Sequence, residues 1–471
     1  MKKLKKRLLY TVSILLFIPF LLAMIHTFKP LPNGLSVDSD FYSDGQVRFI
    51  SDLTYDQNGR TMEHHLYEEA IRIISEAEHT LLIDMFLFND DYDRSKGSYP
   101  NHALTLTEAV LLAKTNNPNL NITVITDRIN TVYGTYIPPH FQQLQKAGIP
   151  VIETNMKPLR DSNPIYSSLW RSYLQWWPAT NNGFLPNAFN PDGVDVTIDA
   201  YLELINFKAN HRKIVLNEKE ALLSSANITH DGSSFHSNIG FIVNGDILKD
   251  IYASEAAVAK LSNIDLPEVA WQAATTSSNV QVKLVTEGKI KQTLLKMIEE
   301  TSAEDKLQLG VFYLSDRQVV KALKKAAKRN VDVQIILDPN KDAFGLEKNG
   351  IPNRQVAAEL LKKGAAIRWY DTHGEQFHSK FIYIESENTA KLLGGSANFT
   401  KRNLDDLNLE SNLYMEMSAD HPLSKEVAQY FSRMWENDNG QFTVDYSVYE
   451  DRALWKKALY RIQETTGLST F

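Results

Sequence analysis

Apolar residues follow the same order of spacings in two stretches of the chain. In each stretch, apolar positions three to four residues apart precede a short continuous apolar run, which is typical of an amphipathic helix followed by a buried strand. The first copy has the helical spacing over residues 66–77 and the run over 81–88; the second has them over 290–298 and 307–314. The sequence therefore predicts one structural unit that is duplicated.

Further segments continue the correspondence between the two copies. A predicted helix precedes an apolar strand that ends at Asp127 in the first copy and at Asp338 in the second, and we interpret both aspartates as turn formers. A glycine then stops another helix, and a short apolar strand follows at 151–153 and at 367–370. Helices that alternate with apolar strands predict an α/β fold in which each half has a mostly parallel or mixed sheet covered on both faces. Such sheets bind ligands beyond the carboxyl ends of their strands.

The N-terminus is a segment of another kind. Basic residues crowd positions 2–7, and residues 8–28 then contain no Asp, Glu, Lys or Arg. About 20 apolar residues span a bilayer as a helix, so this stretch predicts one transmembrane anchor, with the basic cluster cytoplasmic and the chain after Lys29 outside the membrane. The alternative is a cleaved signal peptide, which would make the protein secreted, but the sequence around Ala23 has no small-x-small cleavage site. We therefore expect a single-pass cell-membrane protein with an extracytoplasmic catalytic part.

These patterns divide the chain into four parts. We predict an N-terminal anchor over 1–30, a first α/β domain over 31–265, a polar linker over 266–280 and a second α/β domain over 281–471. The first domain carries an insertion at 157–207 with clustered aromatic residues and two arginines. Aromatic and Arg side chains suit the headgroup region of a membrane, so the insertion is either a membrane-interface segment or a roof that keeps water out of the active-site cleft.

Composition narrows the possible function classes. A hydrophobic content of 43% is that of a globular protein. The net charge of -7 gives no overall attraction for a polyanion and argues against nucleic acid as a partner. The chain contains no cysteine, which excludes thiolate metal sites, a catalytic cysteine and disulfides.

One polar motif occurs twice, at corresponding places in the two copies. In each, a His and a Lys two residues apart begin an apolar strand, so both side chains lie on one face of it. A second short strand follows and ends in small residues and an Asn, where a backbone can approach a ligand closely. The candidate residues are His211, Lys213, Ser225 and Asn227 in the first copy and His378, Lys380, Ser396 and Asn398 in the second.

Two imidazoles, two ammoniums and two amides around one centre suit the chemistry of a phosphodiester. Ammonium and amide groups donate to the non-bridging phosphate oxygens, and the ammonium charges offset the phosphate charge, so the reaction requires no metal and no other cofactor. One imidazole attacks phosphorus in line and forms a phosphohistidine, while the other protonates the leaving alcohol and then activates the incoming alcohol or water. This two-step route permits the exchange of one alcohol for another.

The doubled motif resembles that of the phospholipase D superfamily, and the order of segments around it extends the resemblance over nearly all of the chain after the anchor. Within the superfamily, the chain is most similar to bacterial cardiolipin synthases and related phospholipase D-like proteins. The resemblance implies two α/β domains related by a pseudo-twofold axis, one active site at their interface and a phosphohistidine intermediate. It also implies supporting roles for Glu218 and Glu385, where the family motif has Asp, and for Glu410, which matches a downstream family glutamate; the comparable stretch of the first copy has Asn238.

This asymmetry leads to a hypothesis about the two histidines. A carboxylate from Glu410 beside His378 would favour the imidazolium and raise its pKa, as suits a general acid. A neutral partner would leave His211 deprotonated. We therefore predict that His211 is the nucleophile, that His378 is the acid and then the base, and that Glu410 orients His378.

Three functions are compatible with these residues. The first is a membrane-anchored phosphatidyltransferase or phospholipase D whose substrate is a membrane phospholipid and whose acceptor is an alcohol or water; the joining of two phosphatidylglycerols into cardiolipin is one such reaction. The second is a nuclease that uses the same residues on DNA, which the acidic charge, the anchor and the aromatic insertion disfavour. The third is a relative that binds without turnover, which two complete motifs disfavour. We expect the first.

Overall fold

Two eight-stranded sheets form the centre of the protein, one from each half of the chain. The computed structural model describes residues 2–177, 183–343 and 346–469; the side chains of residue 2 and of residues 342–347 are outside this description. Residues 178–182 of the predicted insertion therefore lie outside the described part of the chain.

The first half contains ten strands and seven helices among the described residues. The strands are β1 (Val47–Asp56), β2 (Arg60–Glu63), β3 (Thr80–Met85), β4 (Phe88–Asn89), β5 (Asn121–Thr126), β6 (Val151–Glu153), β7 (Lys213–Asn217), β8 (Glu220–Ser224), β9 (Thr229–His230) and β10 (Asn238–Asn244). The helices are α1 (Lys2–Phe28), α2 (Leu66–Ser75), α3 (His102–Asn116), α4 (Pro139–Lys146), α5 (Pro164–Ser172), α6 (Ile198–Leu204) and α7 (Ile247–Lys260).

The second half contains ten strands and six helices among the described residues. The strands are β11 (Gln281–Thr286), β12 (Lys306–Val311), β13 (Asp332–Leu337), β14 (Asp342–Ala343), β15 (Leu346–Glu347), β16 (Ala366–Tyr370), β17 (Lys380–Glu385), β18 (Thr389–Gly395), β19 (Ser411–Ser418) and β20 (Thr443–Asp445). The helices are α8 (Gly288–Glu299), α9 (Arg317–Lys328), α10 (Asn353–Leu361), α11 (Lys401–Leu404), α12 (Pro422–Glu436) and α13 (Leu454–Thr466).

The two sheets share a six-stranded pattern. The strand order is β2-β1-β10-β8-β7-β3-β5-β6 in the first sheet and β11-β19-β18-β17-β12-β13-β16-β20 in the second, so the run from β10 to β6 corresponds to the run from β19 to β16. Lys213 pairs with Met85 and Lys380 with Val311, at the carboxyl ends of β3 and β12. The predicted α/β fold with two duplicated mixed sheets is confirmed. Both His-Lys motifs begin at the end of the sheet where folds of this kind bind ligands.

The sheets enclose a shared apolar core. Phe241 of β10 and Phe381 of β17 lie in this core together with residues of α7 and α12. Two further cores lie under α2, α3 and α4 in the first half and under α8, α9 and α10 in the second. The close approach of the halves requires glycine, because a Cβ atom on Gly394 of β18 would lie 2.8 Å from a ring atom of Phe241. The halves therefore pack as one body with a common interior.

The segment between α1 and β1 crosses to the second half. Asp38 and Tyr42 form isolated backbone bridges with Val285 and Val282 of β11. The backbone N of Tyr42 donates to Val282 O at 2.8 Å. The sequence assigns this segment to the first domain, yet its contacts tie it to the edge strand of the second sheet, so it joins the halves in addition to the linker.

The N-terminal helix α1 stands mostly outside this body. By length and composition it is able to cross a membrane, and 6% of its most apolar window is buried against the rest of the protein. It is the one helix with these properties in the described part of the chain. The apolar N-terminal helix predicted from the sequence is therefore present.

Candidate active site

The two motif histidines lie where the halves meet. His211 precedes β7, and its backbone N donates to Leu409 O of the second half at 2.9 Å. His378 precedes β17, and its backbone N donates to Ser237 O of the first half at 2.8 Å. Both histidines are buried, at 8% and 6% exposure. Each half therefore fixes the backbone of the other half's histidine, which brings the two motifs to one centre.

The two imidazoles have different partners, and these partners cross between the halves. His211 Nδ1 lies 2.9 Å from Glu410 Oε1, whereas His378 Nδ1 lies 3.1 Å from Asn238 Oδ1. The hypothesis that Glu410 orients His378 is therefore wrong. The reason is the crossed backbone contact: Leu409 bonds to the first-half histidine, so the residue that follows it in the chain faces that histidine and not the one in its own half.

Asn238 and Glu410 occupy equivalent positions in the two sheets. Each stands at the start of the strand next to the one that carries the motif serine. Ser225 Oγ donates to Asn238 Oδ1 at 3.0 Å, and Ser396 Oγ donates to Glu410 Oε2. Each serine hydroxyl also accepts from a backbone N, of Ile239 at 3.0 Å or of Ser411 at 3.0 Å. The two copies thus share the surrounding hydrogen bonds, but one has an amide where the other has a carboxylate.

The two motif lysines are fully buried. Lys213 Nζ donates to His211 O at 2.8 Å, and Lys380 Nζ donates to His378 O. Burial lowers the pKa of Lys213 to about 7, although Glu410 and two aspartates raise it. Burial and the charge of Lys213 lower the pKa of Lys380 well below its usual value. An anionic ligand beside both side chains would raise their pKa values and keep them protonated. The lysine pair therefore favours the binding of a phosphate.

When no ligand is bound, burial keeps both imidazoles neutral. Burial lowers the pKa of His211 to about 4, although Glu410 raises it. Burial and the charges of Lys380 and His236 lower the pKa of His378 well below its usual value. Burial raises the pKa of Glu410, but His211, Lys213 and Ser396 together outweigh that effect and lower it, so the carboxylate is ionised. A neutral His211 that donates from Nδ1 to this carboxylate carries its lone pair on Nε2, as a nucleophile requires.

The motif asparagines complete the set. Asn227 follows β8 and Asn398 follows β18, and both are 6% exposed. The side-chain Oδ1 of each is buried and has no hydrogen-bond partner among the described residues. A buried acceptor without a partner is costly, so these two amide oxygens suit a ligand group that donates a hydrogen bond. The structure therefore brings together His211, Lys213, His378, Lys380 and Glu410, and Asn227 and Asn398 follow the strands that pair with β7 and β17.

The sequence analysis missed two aromatic residues beside the histidines. Phe86 directly follows β3, and its ring centroid lies 4.8 Å from that of His211. Phe312 directly follows β12, and its ring centroid lies 5.0 Å from that of His378. Lys213 Nζ and Lys380 Nζ lie 5.2 and 5.3 Å from the same two rings. The signal was available, because both aromatic residues occupy the same position in the matched apolar runs 81–88 and 307–314.

The two strand-end aspartates hold the chain that enters each motif. Asp127 accepts from the backbone N of Asn210 at 2.8 Å, and Asp338 accepts from that of Phe377 at 2.9 Å. Each also accepts from a backbone N of its own turn, at 2.8 and 2.7 Å. Burial raises the pKa of both carboxyls to about 7. They form turns, as predicted, and in addition they position the residue before each histidine.

A buried ion cluster, also missed, supports Glu410. Arg212, the residue between His211 and Lys213, is fully buried and lies 2.7 Å from Glu255 and 2.7 Å from Glu287. Glu287 Oε1 accepts from the backbone N of Glu410 at 3.1 Å. Since Glu287 belongs to the second half, its ion pair with Arg212 joins the two halves. This ion pair lies next to Glu410, whose carboxylate contacts His211. The spacing of the motif gave no signal for this middle residue.

The other two motif carboxylates lie at the far ends of β7 and β17. Glu218 is buried and accepts from the backbone N of Glu78, His79 and Thr80 at 3.0, 3.1 and 3.0 Å. Glu385 is half-buried and accepts from Tyr383 Oη at 3.2 Å. Neither contacts the histidines, which agrees with the structural role that the family resemblance implies.

The aromatic residues of the insertion are divided between the interior and the surface. Trp170 of α5 is buried, and Lys157 Nζ lies 5.5 Å from its ring. Trp176 and Trp177 are 75% and 65% exposed. These two tryptophans are open to the surroundings, which favours the membrane-interface interpretation over the roof.

Comparison with known proteins agrees with this architecture. A family model described as "Cardiolipin synthase, PLD-like domain" matches residues 294–435. The cardiolipin synthase of Clostridium perfringens strain 13 is 26% identical over 253 residues, which cover 49% of this chain and 50% of the relative. That of strain SM101 is 27% identical over 253 residues, with the same coverage. The chain thus matches about half the length of these curated relatives.

A solved structure extends the similarity to the whole fold. The phosphatidylserine synthase of Haemophilus influenzae Rd KW20 matches with a TM-score of 0.54 at 12% identity, over 91% of this chain and 95% of that chain. At this identity the likeness concerns the fold alone. The protein has two duplicated mixed sheets, and each half contributes one His-Lys-Asn set. The family match covers residues 294–435, so the second half is similar to the PLD-like domain of cardiolipin synthases.

Proposed function

We propose that the protein is a membrane-anchored phosphatidyltransferase that acts through a phosphohistidine on His211. The observation that carries this proposal is the unequal pair of imidazole partners. A carboxylate contacts His211 Nδ1 at 2.9 Å, and an amide oxygen lies 3.1 Å from His378 Nδ1. A phosphorylated imidazole is cationic, so the carboxylate stabilises the intermediate on His211 and not on His378.

In the first step, His211 Nε2 attacks phosphorus of the substrate phosphodiester. The bond from phosphorus to the leaving alcohol oxygen breaks, and His378 in its protonated form gives its Nε2 proton to that oxygen. The phosphate anion raises the pKa of His378 when it binds, because it places negative charge beside a buried imidazole. Lys213, Lys380 and the amides of Asn227 and Asn398 hold the non-bridging oxygens.

In the second step, an incoming alcohol attacks the phosphohistidine. Neutral His378 takes the alcohol proton, the new phosphorus–oxygen bond forms, and the phosphorus–nitrogen bond to His211 breaks. Both histidines then return to their initial protonation states. Water in place of the alcohol gives hydrolysis by the same route.

A phospholipid is the substrate class that we propose. The relatives that match this chain are named cardiolipin synthases, and α1 is apolar and long enough to hold the protein at a bilayer. The basic residues before the apolar stretch of α1 support a cytoplasmic N-terminus and a catalytic body outside the cytoplasm. Phosphatidylglycerol, as both donor and acceptor, is the specific substrate to test.

The test uses the full-length protein in vesicles of labelled phosphatidylglycerol, with DNA as a parallel substrate and the His211→Ala variant as the control. We expect lipid turnover by the wild type, none by the variant, and a trapped phosphoenzyme that carries the phosphatidyl label on His211. Cleavage of DNA alone would replace the proposed function with a nuclease. The label on His378 would reverse the two roles.

A further inference from the structure

Helix α5 of the insertion runs along α1 in the opposite direction. Near the start of α5, the backbone N of Asp161 donates to His26 O at 3.0 Å, and Arg160 Nε donates to Lys29 O at 2.8 Å. Just after α5, Tyr173 Oη donates to Leu15 O. The insertion is therefore attached to α1 at two levels, one at the end of α1 and one in its middle.

The two levels are far apart along α1. A helix rises about 1.5 Å per residue, so Leu15 lies about 20 Å along the axis from Lys29. The hydrocarbon core of a bilayer is about 30 Å thick, and the apolar stretch of α1 is long enough to fill it. When α1 spans a bilayer, Tyr173 is therefore below the headgroups and not on the membrane surface.

The free face of α5 is suited to that position. Ile165 and Leu169, which are four residues apart on this helix, are 64% and 43% exposed. Trp176 and Trp177 extend the apolar surface beyond the helix. A contiguous apolar surface of this kind on a protein marks an interaction site.

The charged residues of the same segment are turned into the protein. Arg171 of α5 lies 2.8 Å from Asp161, and Lys208 lies 2.7 Å from the same carboxylate. The side chains of all three are at most 9% exposed. Because these charges are paired inside the protein, α5 can enter an apolar phase without exposing them.

We propose that α5 and the 3-10 turn Leu174–Trp176 are inserted into the bilayer alongside α1, from its Lys29 end inward to the level of Leu15, with Ile165, Leu169, Trp176 and Trp177 against lipid chains. The occupant is the bilayer because the exposed apolar surface continues that of α1, which is itself almost unburied. This inference rests on the membrane anchoring given under the proposed function.

The inserted segment leads directly to the active site. After α5, the chain returns towards β7 through α6. Lys208 Nζ then donates to Leu159 O at 2.7 Å, which ties the end of the insertion to its beginning. His211 follows three residues later. An inserted α5 therefore holds the motif of the first half next to the headgroup layer, where a phospholipid phosphate lies.

The absence of native cysteine permits a direct test by single-cysteine labelling. An environment-sensitive fluorophore is placed in the full-length protein at Ile165→Cys or Leu169→Cys, in vesicles that contain phosphatidylglycerol and nitroxide-labelled lipid chains. The matched control is Leu112→Cys, which is 60% exposed on α3; this helix ends beside Glu78, at the end of the first sheet opposite the motifs. Ile14→Cys, 58% exposed on α1, reports the anchor itself.

We expect strong quenching at positions 14, 165 and 169 and several-fold weaker quenching at 112. Quenching at 14 with positions 165 and 169 equal to 112 would overturn the insertion of α5 and leave the anchor intact. No quenching at 14 or at 165 would overturn both. Phosphatidylglycerol turnover is measured in the same samples, so quenching at 165 without turnover supports the insertion and refutes the proposed reaction.

Discussion

Between its histidine and its lysine, the first-half motif has Arg212, and the second-half motif has Ser379. At the start of the neighbouring strand, the first half has Asn238 and the second has Glu410. These differences occur within a shared strand order and matched serine hydrogen bonds. The duplicated fold thus gives a symmetric frame, and a few side chains make its two histidines chemically different.

Each histidine has its side-chain partner in the other half, and this crossing decides which histidine faces a carboxylate. Glu410 comes from the second half and contacts His211, so the carboxylate serves the first histidine. Arg212 and Glu287 fix the backbone of that carboxylate from both halves. On the other side, His378 has the neutral Asn238 as its partner. In the proposed reaction, His211 therefore carries the positive charge and His378 exchanges the proton.

The largest contrast is expected between His211→Ala and His378→Ala on a substrate with a good leaving group. Loss of the nucleophile should reduce kcat by on the order of 10⁴-fold or more on any leaving group. Loss of the acid should cost about 10²–10⁴-fold on phosphatidylglycerol. With a phosphatidyl nitrophenol, which leaves without a proton, His378→Ala should recover much of its initial burst of nitrophenol release.

Burst kinetics with both substrates measure this contrast. Thermal unfolding of each variant controls for loss of structure, since both histidines lie at the contact between the halves. Recovery by His211→Ala instead of His378→Ala would reverse the assignment.

The next contrast concerns stability and the middle residue of each motif. Arg212→Met leaves Glu255 and Glu287 buried without their cation, which should lower the free energy of unfolding by about 3–5 kcal/mol. Ser379→Ala removes a hydroxyl 3.3 Å from Tyr430 Oη and should cost about 1 kcal/mol. Denaturant unfolding of both variants checks the difference, and adding Glu287→Gln to Arg212→Met should recover part of the loss. Equal effects at the two positions would show that the cluster does not stabilise the contact between the halves.

Glu410→Gln tests the carboxylate itself. Glutamine keeps the length of the side chain but removes the charge that stabilises a phosphorylated His211. We expect phosphoenzyme formation to slow by on the order of 10²-fold. Rapid-quench trapping of the labelled intermediate measures the rate directly. A variant that forms the intermediate at the wild-type rate would remove the carboxylate from the mechanism.

The duplication and the motif residues were predictable because their signals are local. The spacing of apolar positions identified matching helices and strands, and a His and a Lys two residues apart on a strand necessarily share a face. The apolar N-terminal helix was predictable for the same reason. The aromatic residues Phe86 and Phe312 also occupy matched positions in the two apolar runs, although their place beside the histidines depends on how the chain turns after each strand.

The crossed contacts were not predictable from local spacing. Which histidine faces Glu410 depends on how two sheets, each built from distant parts of the chain, pack against one another. In the sequence, Glu410 and His378 belong to the same half, which led to the prediction that they pair. In the structure, Glu410 contacts His211 instead. Arg212 was missed for a related reason, because one of its partners, Glu287, comes from the other half.

The smallest effect is expected from Asn238→Asp, which tests directly whether the side-chain partner makes the two histidines different. The substitution keeps the shape of the side chain and places a carboxylate beside His378, at the position equivalent to that of Glu410. Burial and Lys380 now lower the pKa of His378, and an opposite charge at hydrogen-bond distance should raise it by about one to three units. As the general acid, His378 acts in its protonated form, so activity falls as pH rises through its pKa. A higher pKa therefore moves the alkaline limb of the kcat/KM profile to higher pH, while kcat/KM on the plateau below that limb changes only a few-fold. Asn244→Asp, at the other end of β10, adds the same charge away from His378 and should leave the limb where it is. If both variants give the wild-type profile, the amide partner of His378 does not set its proton affinity, and the difference between the two halves must arise from Glu410 alone.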